Sequence, residues 1–131
     1  MPARILIIED DHGSRELLLY LLRASGHVAL EAADGGAGVR LALQANPDLV
    51  LCDLQMPVMN GYEVMRALQD NPDWRRVPVI AVSAFSMAGD RNRVLDAGFD
   101  EHITKPIVPE TFVGQIEAHL VPALRAGPVV R

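Results

Sequence analysis

Short apolar runs alternate with amphipathic stretches from one end of the chain to the other. The runs at Arg4–Glu9 (RILIIE), His27–Glu31 (HVALE), Asp48–Asp53 (DLVLCD), Val77–Ser83 (VPVIAVS) and Glu101–Thr104 (EHIT) read as strands. The first, third and fourth are nearly unbroken in Ile, Leu and Val, the pattern of parallel strands whose two faces are both covered. Helical periodicity fills the gaps. Ser14–Ala24 sets Leu17, Leu18, Leu21 and Leu22 on one face, leaves Leu19 and Tyr20 off it, and stops at Gly26. Asp34–Gln44 carries Val39, Leu41 and Leu43 and runs into Asn46-Pro47, which disfavours further helix. Asn60 is a good N-cap for Gly61–Gln69, with Val64, Met65 and Leu68 inward. Ser86–Ala97 ends at Gly98; it is polar with Gly89 inside, so it is expected among the less stable elements. Pro109 opens a last helix with Phe112, Ile116 and Leu120 four residues apart, and Pro122 is expected to end it.

Five strands alternating with five helices make an α/β chain with a parallel sheet. Right-handed crossovers and coverage of both faces favour a doubly wound, flavodoxin-like sheet of five strands in the order 2-1-3-4-5 with five flanking helices. There is no internal repeat, low-complexity segment or linker. One domain is expected over residues 1–122, with 123–131 as a loosely held tail.

At 131 residues, half of them hydrophobic and 22% charged, the composition is that of a globular domain. No apolar run approaches the roughly 18 residues needed to cross a bilayer. The start, MPARILIIEDD, lacks the basic region and long apolar stretch of a signal peptide, so a cytoplasmic protein off the membrane is expected. A net charge of −5 without any Lys/Arg run argues against a nucleic-acid partner. The single cysteine, Cys52, sits in an apolar strand and reads as a small buried hydrophobe. Redox sensing is its alternative, because it adjoins Asp53.

The reactive side chains gather at one end of the strands. The first strand ends in Glu9-Asp10 with Asp11 following, the third in Asp53, the fourth in Ser83, and the fifth in Thr104-Lys105. All are carboxyl ends, where open α/β sheets bind ligands, and the first and third strands flank the switch point. With neighbouring strands about 4.8 Å apart, the acids of the first strand can share a cation with Asp53, and the Ser83 hydroxyl can reach a group carried by Asp53. Lys105 is roughly 10 Å off, within reach only of a long ammonium stem. Clustered carboxylates repel one another, and Mg²⁺ with Lys105 would compensate them. A carboxylate nucleophile, a metal, a hydroxyl and an ammonium form a phosphoryl-transfer set. Any one of these acids alone would read as a solvated loop cap. His12 follows the acids without a Cys or second His nearby, so helix capping suits it better than zinc.

The segments ILIIEDD, LVLCDLQMPVMNGYEVMRAL, VPVIAVSA and AGFDEHITKPI resemble the response-regulator receiver family in order and spacing, from about Ile5 to Leu120. The resemblance implies that Asp53 is the phosphoacceptor. It implies that Glu9 and Asp10 are the acidic pair, Asp10 as the direct metal ligand and Glu9 partly through water. The Gln55 backbone carbonyl would complete the Mg²⁺ site, Ser83 would be the switch hydroxyl, Lys105 would pair with the phosphoryl group, and Lys105-Pro106 would be cis. Three departures stand out. Ser83 replaces a frequent Thr, which frees its rotamer. His102 stands where a Tyr or Phe usually swings inward, and is either a conformational reporter or a surface strand residue. Phe85, bulky beside the site, is expected to restrict water access to an acyl phosphate.

The resemblance further implies a switch that takes phosphoryl from a histidine kinase or phosphotransfer protein and repacks the fourth helix, fifth strand and fifth helix. Leu19 and Tyr20 would be either partly buried or a docking surface for the donor. The output would be contact with an unidentified downstream protein or phosphoryl relay, from a monomer when unphosphorylated. The protein would be a phosphoacceptor rather than an enzyme. A degenerate receiver acting only as a docking module is the alternative. A phosphohydrolase of the haloacid dehalogenase type would need a second Asp where Gln55 stands.

Overall fold

A computed structural model describes residues 2–84, 90–121 and 124. The elements in chain order are β1 (Arg4–Ile8), α1 (His12–Ala24), β2 (Val28–Ala32), α2 (Gly35–Gln44), β3 (Leu49–Asp53), α3 (Gly61–Gln69), β4 (Val79–Ser83), α4 (Asp90–Asp96), β5 (Glu101–Thr104) and α5 (Pro109–Glu117). The five strands are all parallel in the order β2-β1-β3-β4-β5, as the alternation of patterns predicts. Among the described residues no helix is long and apolar enough to cross a membrane.

The sheet divides the core in two. Ile5, Ile7, Leu49, Leu51, Ile80, Val82 and Ile103 pack with α1 and α5 through Leu18, Leu19, Leu22, Phe112 and Ile116. Leu6, Ile8, Val50, Cys52, Val79 and Ala81 pack on the other face with α2, α3 and α4 through Ala42, Val64, Met65, Leu68 and Val94. Alternate residues of the same strand therefore supply both cores, which is why the central strands carry no polar position until their carboxyl ends. Cys52 is fully buried, and burial pushes its thiol far above the ordinary range, so it is the packed hydrophobe expected.

Local chemistry fixes the helix ends. Asp34 accepts a 2.8 Å bond from the Ala37 N–H, and Asn60 and Glu63 form a reciprocal capping box at 2.9 Å each way. Gly26, at φ 88, closes α1 in the left-handed region while the Gly26 and His27 N–H groups bond the Arg23 and Leu22 carbonyls.

Several expectations need correction. α1 begins at His12, and its cap is Asp11, which accepts from the Ser14 N–H at 2.8 Å; His12 does not cap it. The buried face of α1 is Leu18, Leu19 and Leu22, whereas Leu17 is exposed, so the helix is turned by about one position from the face expected. A run of leucines carries no period of its own, and packing on Ile5, Ile7 and Phe112 chooses the face. In α2 the deeply buried positions are Gly35, Gly38 and Ala42, with Val39, Leu41 and Leu43 only partly covered. A Cβ on Gly38 would lie 2.5 Å from Ile8 Cδ1, so glycine lets this helix approach β1. α5 ends at Glu117, before Pro122, although Leu120 is still buried in the turn that follows. The first part of the expected fourth helix (86–89), Phe85, Pro122 and nearly all of the 123–131 tail lie outside the described residues.

At the end of the sheet away from the strand carboxyl termini, His27 is 4% exposed and bonded through both ring nitrogens. The Ala3 N–H donates to its Nδ1 at 3.0 Å, and its Nε2 donates to Glu117 Oε2 at 2.7 Å. A second imidazole–carboxylate contact joins His119 to Glu101 on β5.

Candidate functional site

Strand geometry alone brings the acids together. β1 pairs with β3 so that Ile8 faces Cys52, and the chain leaves both strands one residue later, at Glu9 and Asp53. Carboxylate oxygens of Glu9, Asp10 and Asp53 all lie within 4.8 Å of one another. Glu9 is 1% exposed and Asp53 5%, while Asp10 faces solvent, so the cluster has two walls and an open side.

The surrounding backbone holds these groups in place. The Gln55 N–H donates to Asp53 Oδ1 at 3.2 Å, and the Asp11 N–H donates to Glu9 Oε2 at 3.1 Å. Arg15 donates to the Glu9 carbonyl at 2.9 Å and to Glu31 Oε1 at 3.1 Å, tying α1 to the turn that carries the acids. Nothing in the sequence singled out Arg15, because a cation on the polar side of a helix looks like any solvated side chain. Gly61 opens α3 directly under Asp53, and a Cβ there would sit 2.5 Å from the Asp53 carbonyl oxygen.

Lys105 directly follows β5, and its bond to Pro106 is cis. Its stem spans the distance expected, but the ammonium is shared. Nζ donates to Glu9 Oε1 at 2.8 Å and lies 3.8 Å from Asp53 Oδ2. Burial, then a hydrogen bond with Glu9 and its charge, push the Asp53 carboxyl from 3.8 up to about 7, against the opposing pull of the Gln55 N–H and Lys105. One ammonium does not balance three carboxylates. The donor set is all hard oxygen with an open side, so the residues fit a divalent cation such as Mg²⁺.

Ser83 ends β4 fully buried, one residue past Val82, the partner of Asp53 across the sheet. Its Oγ meets His102 Nε2 at 2.8 Å. His102 is 9% exposed, so it is not a surface strand residue, and the contact with Ser83 is one the sequence did not disclose. Burial first, and Arg91 after it, lower the proton affinity of this imidazole, with Asp90 opposing. Gln55 is exposed on the loop after β3, and its side chain has no recorded bond to Asp53. Beside Lys105 a cleft of about 410 Å³ is lined by Leu17, Leu18, Ala84, Pro106 and Ile107. Of Leu19 and Tyr20, expected to be either partly buried or a docking surface, Leu19 is buried and Tyr20 is 69% exposed.

Comparison with known proteins gives the chain's family and fold. The family described as the response regulator receiver domain matches residues 5–117. The polar-differentiation response regulator DivK of Brucella anthropi is 38% identical over 120 residues, covering 92% of this chain and 98% of that protein. Its counterpart from Brucella ovis is 37% identical over the same shares. Among solved structures, the receiver domain of the sensor histidine kinase PA1611 from Pseudomonas aeruginosa PAO1 holds a magnesium ion coordinated in its active-site cleft. It is 30% identical at a TM-score of 0.82, covering 91% of this chain and 98% of its own. The chemotaxis protein CheY4 of Vibrio cholerae reaches a TM-score of 0.84 at 24% identity over 92% of this chain and all of its own, which speaks for the fold.

Proposed function

This chain belongs to the response-regulator receiver family of two-component signalling, and on that premise we propose that Asp53 accepts a phosphoryl group from a histidine kinase or phosphotransfer protein. The observation that carries the reading is the convergence of Glu9, Asp10, Asp53 and Lys105 from three separate strand ends. An Asp53 carboxylate oxygen attacks the donor's phosphorus, the new O–P bond forms, and the bond to the donor's leaving nitrogen or oxygen breaks. Gln55 N–H orients the carboxylate by holding Oδ1, which leaves the other oxygen free to react. Lys105, already 3.8 Å from Oδ2, meets the charge that arrives on the phosphoryl oxygens. Ser83 offers a hydroxyl from the neighbouring strand. Glu9, Asp10, Asp53 and the Gln55 carbonyl would hold Mg²⁺. When bound, the ion supplies charge neutralisation for the transferred group.

The donor would rest on the outer side of α1, where Leu17 and Tyr20 are exposed, and on the cleft beside Lys105. The output would be a contact with another protein, the chain acting as a phosphoacceptor rather than a catalyst for free substrates.

The test is to incubate native and Asp53→Asn protein with a small phosphodonor and Mg²⁺ and record intact mass. Native protein should gain one acid-stable, base-labile phosphoryl group, and the variant none. A native chain that never gains it would be a docking module, and steady turnover of varied phosphate esters would mark a hydrolase.

A further inference from the structure

The contact between Ser83 and His102 contains a choice of direction. Ala81 faces His102 and Ser83 faces Thr104, so the two side chains leave the same face of the sheet on diagonal positions of adjacent strands. At 2.8 Å, Ser83 Oγ and His102 Nε2 share one hydrogen. A bare Nε2 accepts the hydroxyl proton, while an Nε2–H donates to the hydroxyl oxygen. The hydroxyl has a single proton. It cannot give it to Nε2 and to a phosphoryl oxygen on Asp53 at once.

We propose that His102 is the positioning residue for Ser83, and that the hydrogen bond between them reverses when Asp53 is phosphorylated. In the resting protein Nε2 accepts from Ser83. In the phosphorylated protein Nε2–H donates to the Ser83 oxygen, and the Ser83 proton turns to a phosphoryl oxygen. The inference rests on Asp53 being the phosphoacceptor. The extra proton comes from solvent onto the imidazole, and no bond to carbon or phosphorus changes in the reversal.

The surroundings suit both directions. Burial favours the neutral ring, whose Nε2 accepts from Ser83 when the ring proton sits on Nδ1. From α4, Asp90 favours the imidazolium and Arg91 disfavours it. β4 (VIAVS) brings no charged side chain. On β5 and beyond it, Glu101 is engaged by His119 in the turn after α5, and Lys105 by Glu9. With Mg²⁺ already on the acids, transfer of the phosphoryl group adds one negative charge, which favours a cation nearby. Phosphorylation and protonation of His102 should promote one another, as any linked pair must.

The experiment is an NMR titration of the His102 ring in Mg²⁺ throughout, without and then with beryllium fluoride, a stable mimic of aspartyl phosphate. The midpoint should rise by about half a unit or more on binding, roughly threefold in proton affinity. In Ser83→Ala it should already be raised without the mimic, because the neutral ring has lost its donor. His102→Gln can donate or accept without titrating. Native affinity for the mimic, divided by that of His102→Gln, should therefore climb from about pH 7.5 to about pH 5.5, across the ordinary histidine range. A mimic that shifts the Gln55 amide yet leaves the His102 midpoint unmoved overturns the reversal. A mimic that leaves the Gln55 amide unshifted sinks the phosphoacceptor reading instead, and the reversal with it. An unchanged midpoint in mimic-free Ser83→Ala overturns the resting half independently.

Discussion

Lys105 donates to Glu9 at 2.8 Å, a full ångström closer than its approach to Asp53. The ammonium is thus held on Glu9 and stands only second to Asp53. It also competes with any cation the three carboxylates would hold.

Lys105→Gln should therefore move two measurements in opposite directions. Mg²⁺ affinity by calorimetry should rise about fivefold, for removal of roughly 1 kcal/mol of repulsion. Phosphoryl gain from a small donor should fall at least tenfold, because the arriving charge meets no ammonium. Parallel losses in both would mean that Lys105 serves the structure and not the phosphoryl group.

Asp53 carries a stability cost in metal-free protein. Its folded carboxyl titrates near 7 against 3.8, so its stabilising share is complete below about pH 4 and is lost as pH rises through about 7. Without metal at pH 8, Asp53→Asn should be more stable than native by about 1–3 kcal/mol in urea unfolding, the cost of a poorly compensated buried charge. The gap should close at pH 4 and narrow with Mg²⁺. A variant less stable than native at pH 8 would contradict the electrostatics described.

His102 slopes the other way. Its folded proton affinity is depressed, so its contribution is complete above the unfolded value of about 6.5 and is lost as pH falls. Native protein should lose stability relative to His102→Gln on acidification to about pH 5.5. Beryllium fluoride should shrink that difference. Urea midpoints measured across the range check both statements.

Two glycines make a matched pair. Gly61→Ala would press a Cβ to 2.5 Å from the Asp53 carbonyl oxygen and 2.9 Å from Leu54 Cα, both main chain. It should cost about 1–3 kcal/mol and reduce phosphoryl gain. Gly114→Ala, inside α5 with nothing within 4 Å of its Cβ, should stabilise by about 0.5–1 kcal/mol and leave phosphoryl gain unchanged.

Strand order and the acid cluster were legible because a parallel strand buried on both faces cannot hide a polar residue before its end. Glu9, Asp53, Ser83 and Lys105 stood out against runs of Ile, Leu and Val for that reason. The face of α1 was not legible, since Leu17, Leu18, Leu19, Leu21 and Leu22 satisfy several rotations equally. Side-chain partnerships were also out of reach. That Lys105 goes to Glu9 depends on differences of an ångström within a cluster. That Ser83 meets His102 depends on the β4–β5 register, which strands as short as VIAVS and EHIT do not declare.

The two imidazole–carboxylate contacts at the far end of the sheet make the molecule mechanically lopsided. α5 is tied to the entrance of β2 through Glu117 and His27, and the turn that follows it is tied to β5 through His119 and Glu101. α4 commits a single buried side chain, Val94, to the core. Dislodging α5 means breaking both ties, whereas α4 gives up the burial of one valine. A displacement that began at Asp53 would be taken up more cheaply on the α4 flank than on the α5 flank.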